Sequence, residues 1–253
     1  MPDITCRREI DWKSYALSDV GCVRPVNEDA FTEMPEKQIW AVADGMGGHE
    51  IGDVASRKII ELLEAIEPAE KLSDIVDQVE DVLMHANHLL IDYAQQALNH
   101  QTMGTTVVCL IIKENVGIAI WAGDSRLYRK RNNQLQQLTR DHSQVEEMVQ
   151  MGVISREEAE THPNKNVITR AIGVEQQLFV DINVFSSQVG DTFLLCSDGL
   201  YNSVAAAHME AVLAQRDAEI CVLELMKTAL NNGAEDNVSL IVVKGEPGRF
   251  APG

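Results

Sequence analysis

The sequence has little positive charge, few cysteines and no long apolar run, and each shortage excludes a class of protein. Its 253 residues include 21 basic and 39 acidic side chains, which gives a formal net charge of −18. Nucleic acids and anionic membranes select basic surfaces, so we expect neither as a partner. No apolar stretch reaches the roughly 18 residues of a membrane-spanning helix, and residues 1–13 contain no apolar signal core.

The five cysteines form no recognisable disulfide framework or zinc site. Their number is odd, they are scattered, and no two have the spacing of zinc ligands. We therefore expect reduced thiols in a cytoplasmic protein. The chain also lacks repeats, low-complexity segments and linkers rich in Pro, Gly or Ser. It predicts a single domain over residues 1–253, which we expect to be monomeric.

Hydrophobic periodicity indicates a mixed α and β protein. Helical spacing over residues 53–67 and 73–98, separated by Pro68, predicts an antiparallel helix pair with Ser73 as the second N-cap. Further helices are predicted at 204–215 and 218–231, and residues 143–160 are polar and helix-prone. Strands are predicted at 105–112, 116–122, 126–130, 135–138, 179–184, 192–196 and 238–243, before a tail at 245–253. This irregular order predicts an α+β layered fold with antiparallel sheets.

Four aspartates stand at the ends of apolar runs. Asp44 and Asp198 precede a glycine, Asp124 follows one, and Asp236 comes just before the last strand. A single Asp-Gly pair is usually only a turn. Four carboxylates that met at one sheet edge would repel one another, and hard divalent cations would offset that repulsion. The pattern predicts a carboxylate-lined Mg²⁺ or Mn²⁺ site.

Two further motifs carry candidate chemistry, and each also has a structural interpretation. Arg24 lies near Glu28 and Asp29 and could form a surface ion pair. Beside a metal site, the same guanidinium could instead hold a phosphate through two nitrogens. The glycine-rich stretch 44–49 is not a P-loop, because the Lys-Ser/Thr ending is absent. A lone histidine such as His49 is more often a structural hydrogen-bonding residue than an acid.

Taken together, these residues resemble the metal-dependent protein serine/threonine phosphatase family, often called PP2C or PPM. The resemblance spans about residues 17–244, and each motif is weak alone while the ordered set is strong. The motifs are Arg24 with Asn27-Glu28-Asp29, Asp44-Gly45-Met46-Gly47-Gly48-His49, Met103-Gly104-Thr105-Thr106, Gly123-Asp124-Ser125-Arg126, Asp141-His142-Ser143, Ser197-Asp198-Gly199 and Glu235-Asp236-Asn237-Val238. The Met-Gly-Gly-His form and the compact length look like the bacterial branch, whose members reverse Hanks-type kinases.

The resemblance implies a PP2C-like β-sandwich of two antiparallel sheets flanked by antiparallel helix pairs, with a flap at about residues 143–170. It implies two tightly bound Mn²⁺ or Mg²⁺ ions bridged by Asp44. The other implied ligands of this pair are the Gly45 carbonyl, Asp198 and Asp236. A third, looser ion would be held by Asp124 together with Asp198.

The resemblance also assigns roles outside the metal ligands. Arg24 would bind the substrate phosphate, and Glu28 and Asp29 would orient waters on the ions. Eukaryotic members carry a histidine directly after Asp-Gly, proposed as the acid that protonates the leaving alcohol, and here that position is Met46. A water on a metal ion is then the first candidate for this acid, and His49 is the second. The charge of Glu50, where small residues are common in relatives, has no explanation.

The expected reaction is hydrolysis of phosphoserine and phosphothreonine in proteins. A serine/threonine kinase and its substrates are the expected partners. No covalent phosphoenzyme is needed, and no cysteine has an arginine six positions later, as cysteine-dependent phosphatases require. One alternative is a catalytically weak regulatory module of the same fold that binds a phosphoprotein, although such proteins usually lose metal ligands. Another is a metal-dependent nuclease or nucleotide hydrolase, which the missing basic stripe opposes. The physiological substrate, and Mn²⁺ versus Mg²⁺, stay open.

Overall fold

Two antiparallel β-sheets lie between layers of helices in a computed structural model, which describes residues 8–47, 51–97 and 102–250. Within these ranges the strands are β1 (Arg8–Asp19), β2 (Asp29–Met34), β3 (Ile39–Met46), β4 (Gly104–Thr105), β5 (Val107–Lys113), β6 (Val116–Ala122), β7 (Arg126–Arg131), β8 (Gln134–Gln137), β9 (Asp181–Ser186), β10 (Thr192–Cys196) and β11 (Val238–Phe250). The helices are α1 (Ile51–Glu64), α2 (Leu72–Ala97), α3 (Gln144–Gln150), α4 (Arg156–Glu160), α5 (Asp198–Ser203), α6 (Ala206–Val212) and α7 (Ala218–Asn231). The predicted α+β sandwich is confirmed.

The two sheets differ in size and in the helices that cover them. The first sheet has the strand order β1-β11-β10-β7-β8, and the second has the order β2-β3-β5-β6-β9, with β4 beside β3. Helices α1 and α2 pack on the second sheet, while α5, α6 and α7 pack on the first. Among the described helices, none combines the length and hydropathy that a membrane crossing requires.

Apolar runs form the central strands because these strands are buried on both faces. In β3, Trp40 and Val42 point into the core between the sheets. Their neighbours Ile39, Ala41 and Ala43 point to the core beneath α1 and α2. Side chains alternate across a strand, so a strand covered on both sides needs apolar residues at every position. The strand therefore holds its last residues, including Asp44, on a rigid support.

The helix predictions are correct in position and wrong in detail. Helix α2 begins at Leu72, so Ser73 lies inside the helix and is not its N-cap. The Ser73 hydroxyl instead donates to Asp74 Oδ1 at 3.0 Å. The predicted helix at 204–215 is shorter as α6, because Val204 and Ala205 are extended, and α5 precedes it directly after β10.

The predicted C-terminal tail is wrong for residues 245–250. Strand β11 continues to Phe250 and pairs with β1, which extends to Arg8. This stretch contains Gly245, Pro247 and Gly248, residue types that are uncommon inside a strand. Beyond Lys244, however, β11 has lost its β10 neighbour and only β1 pairs with it, so a proline is tolerated there.

The hairpin between β7 and β8 confirms the turn predicted at Asn132-Asn133. Both residues have positive φ, 50° and 58°. Asparagine tolerates this left-handed region, and two such residues form the tight turn that suits strand twist. The hairpin keeps β7 in register beside β10, and β7 begins two residues after Asp124.

Candidate functional site

The four strand-end aspartates meet in one cleft of about 360 Å³. They come from separate elements: the end of β3, the turn after β6, the first residue of α5 and the turn before β11. Glu28 and Arg24 line the same cleft. Five carboxylates therefore face one guanidinium, and the predicted convergence of the carboxylates is found. The lining carboxylates are Glu28, Asp44, Asp124, Asp198 and Asp236.

Asp44 and Gly45 are fixed by the segment just before β5. The Asp44 carbonyl accepts from the Thr105 hydroxyl at 2.9 Å and from the Thr106 amide at 2.8 Å. The Asp44 amide in turn donates to the Thr106 hydroxyl at 3.2 Å. A Cβ on Gly45 would stand 2.1 Å from the Gly52 carbonyl oxygen and 2.6 Å from the Glu28 carbonyl oxygen. Only glycine lets these three backbones come so close, which explains the Asp-Gly pair.

Asp29 lies directly opposite Asp44 across the β2–β3 ladder. One of its carboxylate oxygens accepts from the Ser197 hydroxyl at 2.7 Å, and the other, Oδ1, is buried without a hydrogen-bond partner. Glu28 Oε1 is likewise buried and without a partner. Buried acceptors of this kind are costly unless a donor reaches them. Both oxygens are therefore suited to accept from water in or beside the cleft.

Burial and mutual repulsion shift the pKa values of these carboxyl groups upward. Burial is the largest cause, and it raises the pKa of Asp29 to about 7, of Asp124 to about 8 and of Asp198 to about 6. The pKa of Asp44 is raised well above its ordinary value by burial and by its four aspartate neighbours. Holding all of them ionised costs free energy unless positive charge enters the cleft.

Arg24 pairs with Asp236 at the mouth of the cleft. Its Nη2 donates to Asp236 Oδ2 at 2.8 Å, and their side chains are 50% and 37% exposed. Asn237 anchors the loop that carries Arg24, because its side chain donates to the carbonyls of Val20 and Val26 and accepts from the Glu28 amide. An ion pair was one alternative for Arg24, and an ion pair is present, but its partner is Asp236 and not the neighbouring Glu28 or Asp29.

The two remaining aspartates are supported from α5. Asn202 donates to Asp198 Oδ2 at 3.1 Å, and Tyr201 donates its hydroxyl to the Asp124 carbonyl at 3.0 Å. Arg126 lies over the Tyr201 ring, with its Cζ 3.5 Å from the centroid, and forms a bidentate pair with Asp141. Asp124 is thus held through its backbone carbonyl, and it lines the cleft.

The predicted flap segment lies beside the cleft and forms one wall of a second cavity. Asn166 and Ile168 line the cleft. The neighbouring cavity, of about 820 Å³, lies between residues 143–166 and the α5–α6 region, and Asn166 lines both spaces. Arg156 in α4 pairs with Glu146 in α3, which ties the two short helices together. Five carboxylates line the smaller cavity, whereas Asp141, Glu146 and Glu160 line the larger one.

Sequence reasoning left some supporting residues without a role. Thr105, Thr106 and Asn237 stand inside quoted motifs, but their hydrogen bonds to Asp44 and to the Arg24 loop join segments distant in sequence. Met46 lines the cleft as expected from its position. His49 was considered as an acid, and the charge of Glu50 had no explanation. Both residues lie outside the described residues.

Comparison with known proteins agrees with the geometry. The family profile described as protein phosphatase 2C matches residues 24–232. The serine/threonine phosphatase stp of Listeria innocua is 38% identical over 238 residues, covering 90% of this chain and 93% of that protein. The structure of PppA, a key regulatory component of T6SS in Pseudomonas aeruginosa, has a TM-score of 0.87 at 38% identity. The match covers 92% of this chain and 97% of the PppA chain.

A second solved structure adds information on metals. The catalytic domain of the serine/threonine protein phosphatase PstP, in complex with two manganese ions, has a TM-score of 0.84 at 30% identity. The match covers 94% of this chain and 99% of that one. The family profile spans the segments that carry Asp44, Asp124 and Asp198, and it ends four residues before Asp236. The chain therefore belongs to the protein phosphatase 2C family and is a protein serine/threonine phosphatase.

Proposed function

We propose that this cleft hydrolyses phosphoserine and phosphothreonine side chains with the help of two divalent cations, Mn²⁺ or Mg²⁺, and a weaker third. The observation that carries the proposal is the set of five carboxylates facing a single guanidinium. When bound, the ions would lower the pKa of a shared water and neutralise phosphate oxygens. Phosphate transfer to water without a covalent intermediate needs no nucleophilic side chain from the protein.

The residues present fit such ions. Asp44, Asp198 and Asp236 are hard oxygen ligands, and the partnerless oxygens of Glu28 and Asp29 can accept hydrogen bonds from water. Among the described residues, no group of three or more His, Cys, Asp or Glu side chains is arranged to hold a single metal ion. Each ion would thus keep several water ligands, as Mg²⁺ commonly does when one or two carboxylates bind it.

Arg24 is proposed to bind the substrate phosphate. Its guanidinium already lies at the cleft mouth against Asp236, where a phosphate bound beside the ions would offer a second anionic partner. Segment 143–170 is proposed as a flap that contacts the polypeptide around the phosphorylated residue, because Asn166 lies between the cleft and the larger cavity. A Hanks-type kinase and its substrates are the proposed partners.

Arg24→Ala should raise KM for a phosphopeptide more than it lowers kcat, if the guanidinium holds the phosphate similarly in ground and transition states. Steady-state kinetics on a phosphothreonine peptide measure both constants. Arg57→Ala is the matched control, because Arg57 also forms an exposed ion pair, with Asp53, but does not line the cleft. An unchanged KM in Arg24→Ala would leave Arg24 as a surface ion-pair residue only.

Asp124→Ala should separate the third ion from the first two. We expect two ions to bind with nearly unchanged affinity, while turnover falls by about 100-fold, the typical contribution of a positioned acid. The third ion is proposed to help the leaving oxygen, because the Met46 thioether cannot donate a proton. Calorimetric Mn²⁺ titration beside kinetics provides the measurement. Loss of the tight sites would make Asp124 a ligand of the central pair, and wild-type turnover would contradict the third-ion role.

The test of the function is a comparison of substrates under one set of conditions. With Mn²⁺, the protein should release phosphate from phosphothreonine and phosphoserine peptides, and should leave nucleotides and DNA intact. The regulatory-module alternative predicts binding of the phosphopeptide without phosphate release. Preferential hydrolysis of a nucleotide would instead support the nucleotide-hydrolase alternative and contradict the proposal.

A further inference from the structure

His142 has no task in the proposed chemistry, although it is one of the best-connected side chains near the cleft. It is 7% exposed, and its ring stacks on Trp121 with centroids 6.0 Å apart and planes 12° apart. The Trp121 indole in turn donates to the Arg140 carbonyl at 2.7 Å. The imidazole is therefore held between β6 and the chain that follows β8, without contact to the cleft itself.

The first ring nitrogen of His142 supports the turn that carries Asp124. The Gly123 amide donates to His142 Nδ1 at 3.0 Å, and the His142 amide donates to the Gly123 carbonyl at 2.9 Å. Gly123 has a φ of +110°, and a Cβ there would stand 2.6 Å from Thr106 Cβ. Both polar backbone groups of this unusual turn are thus satisfied by one residue. Because Gly123 directly precedes Asp124, the turn sets the position of that aspartate.

The second ring nitrogen faces the end of segment 143–170. His142 Nε2 lies 3.3 Å from Asp181 Oδ2 and 3.1 Å from Arg170 Nη1, and Arg170 donates to Asp181 Oδ1 at 2.7 Å. A neutral imidazole carries one N–H. Since Nδ1 accepts from Gly123, the proton belongs on Nε2, where Asp181 can accept it. Burial and then Arg170 lower the pKa of His142, which favours this neutral form.

We propose that His142 is a positioning residue that fixes the Gly123-Asp124 turn through Nδ1, and that Asp181 maintains the tautomer on which this contact depends. The inference rests on the proposed function, because the proposed function makes Asp124 a ligand of the third ion. It also links that ion to the flap, since the Thr169 amide donates to the His142 carbonyl at 2.7 Å. A change at Thr169 or Arg170 would therefore reach the Gly123-Asp124 turn through one residue, His142.

Two substitutions at His142 separate the two ring nitrogens. His142→Asn places a carbonyl oxygen at the Nδ1 position and can still accept from Gly123. His142→Gln reaches the Nε2 position and loses that acceptor. In metal-free protein, we expect His142→Gln to speed hydrogen exchange of the Gly123 amide by about tenfold, which corresponds to the loss of one typical hydrogen bond. His142→Asn should restore most of the protection of this amide. His208→Gln, an exposed histidine on α6, is the matched control and should change nothing.

The same variants should then differ in metal binding. We expect His142→Gln to weaken the loosest Mn²⁺ site by about 10- to 100-fold, as for other groups that orient a metal ligand, and to leave the two tight sites in place. Turnover should fall in parallel, with kcat affected more than KM. His142→Asn should recover the weak site.

A second pair of variants tests the tautomer by changing Asp181, which is half-exposed. This test does not require the fold to tolerate a substitution at the buried His142. In Asp181→Ala, Arg170 Nη1 is left to donate to Nε2, which moves the imidazole proton to Nδ1, where it opposes the Gly123 amide. We expect faster Gly123 exchange and a ¹⁵N spectrum of His142 that reports a protonated Nδ1. Removing the donor as well, in Arg170→Ala/Asp181→Ala, should return both signals towards the wild type.

The outcomes distinguish this proposal from the proposed function. Wild-type Gly123 protection in both His142→Gln and Asp181→Ala would overturn the positioning role, whatever the metals do. Faster Gly123 exchange with an unchanged weak site would overturn the link from the turn to Asp124. Absence of any Mn²⁺ binding in the wild type would contradict the proposed function, while the exchange measurements, made without metal, would still decide the role of His142.

Discussion

Chelation of divalent cations should abolish phosphate release by this protein, and added Mn²⁺ or Mg²⁺ should restore it. The reason is electrostatic: the cleft is lined by five carboxylates and one arginine, and the substrate is a phosphate dianion. Without cations, substrate and cleft repel each other, and no side chain in the cleft replaces a water activated by metal. Phosphate release from a phosphothreonine peptide, before and after exhaustive chelation, provides the measurement.

Two controls make the chelation result specific. Removing the chelator and adding back cation should recover the initial rate, which excludes irreversible unfolding. Thermal denaturation should show that Mn²⁺ raises the melting temperature, because an ion that binds only the folded state stabilises it by an amount that grows with the logarithm of its concentration over Kd. Full activity after chelation would show that the carboxylates do not act through bound cations.

Asp44→Ala, Asp198→Ala and Asp236→Ala should each lower turnover by about 1,000-fold or more, equivalent to about 4 kcal/mol of transition-state stabilisation. Each change removes a proposed ligand of the two tightly bound metal ions. Asp44 should be the most sensitive, because it is proposed to bridge both ions and its backbone is fixed by Thr105 and Thr106. Asp77→Ala, an exposed aspartate on α2, is the matched control and should keep wild-type turnover.

Stability offers a second readout for the same position. The raised pKa of Asp44 means that its charged form is unfavourable in the folded, metal-free protein. Asp44→Asn keeps the shape and removes the charge, so it should melt at a higher temperature than the wild type in chelator and should lose most of the stabilisation by Mn²⁺.

Near-wild-type kcat in any of the three alanine variants would show that the ligand assignment is misplaced.

The sequence by itself determined much of this protein, and the reasons are local. The strand-end positions of Asp44, Asp124, Asp198 and Asp236 could be read because apolar runs and turn residues are short-range patterns. The Asn132-Asn133 hairpin was equally visible, since its backbone conformation depends on two adjacent residues. The short motifs, in their order along the chain, resemble the family, and that resemblance implied the candidate ligands.

Only the tertiary structure decided the contacts between distant segments. The pairing of β11 with β1 makes a strand of residues 245–250 despite their Gly and Pro residues, because β1 supplies the hydrogen bonds. The Arg24–Asp236 pair joins residues 212 positions apart, and the contacts of His142 join the turn after β6, the chain after β8 and Arg170. Such contacts depend on sheet order and loop paths, which periodicity along the chain does not specify.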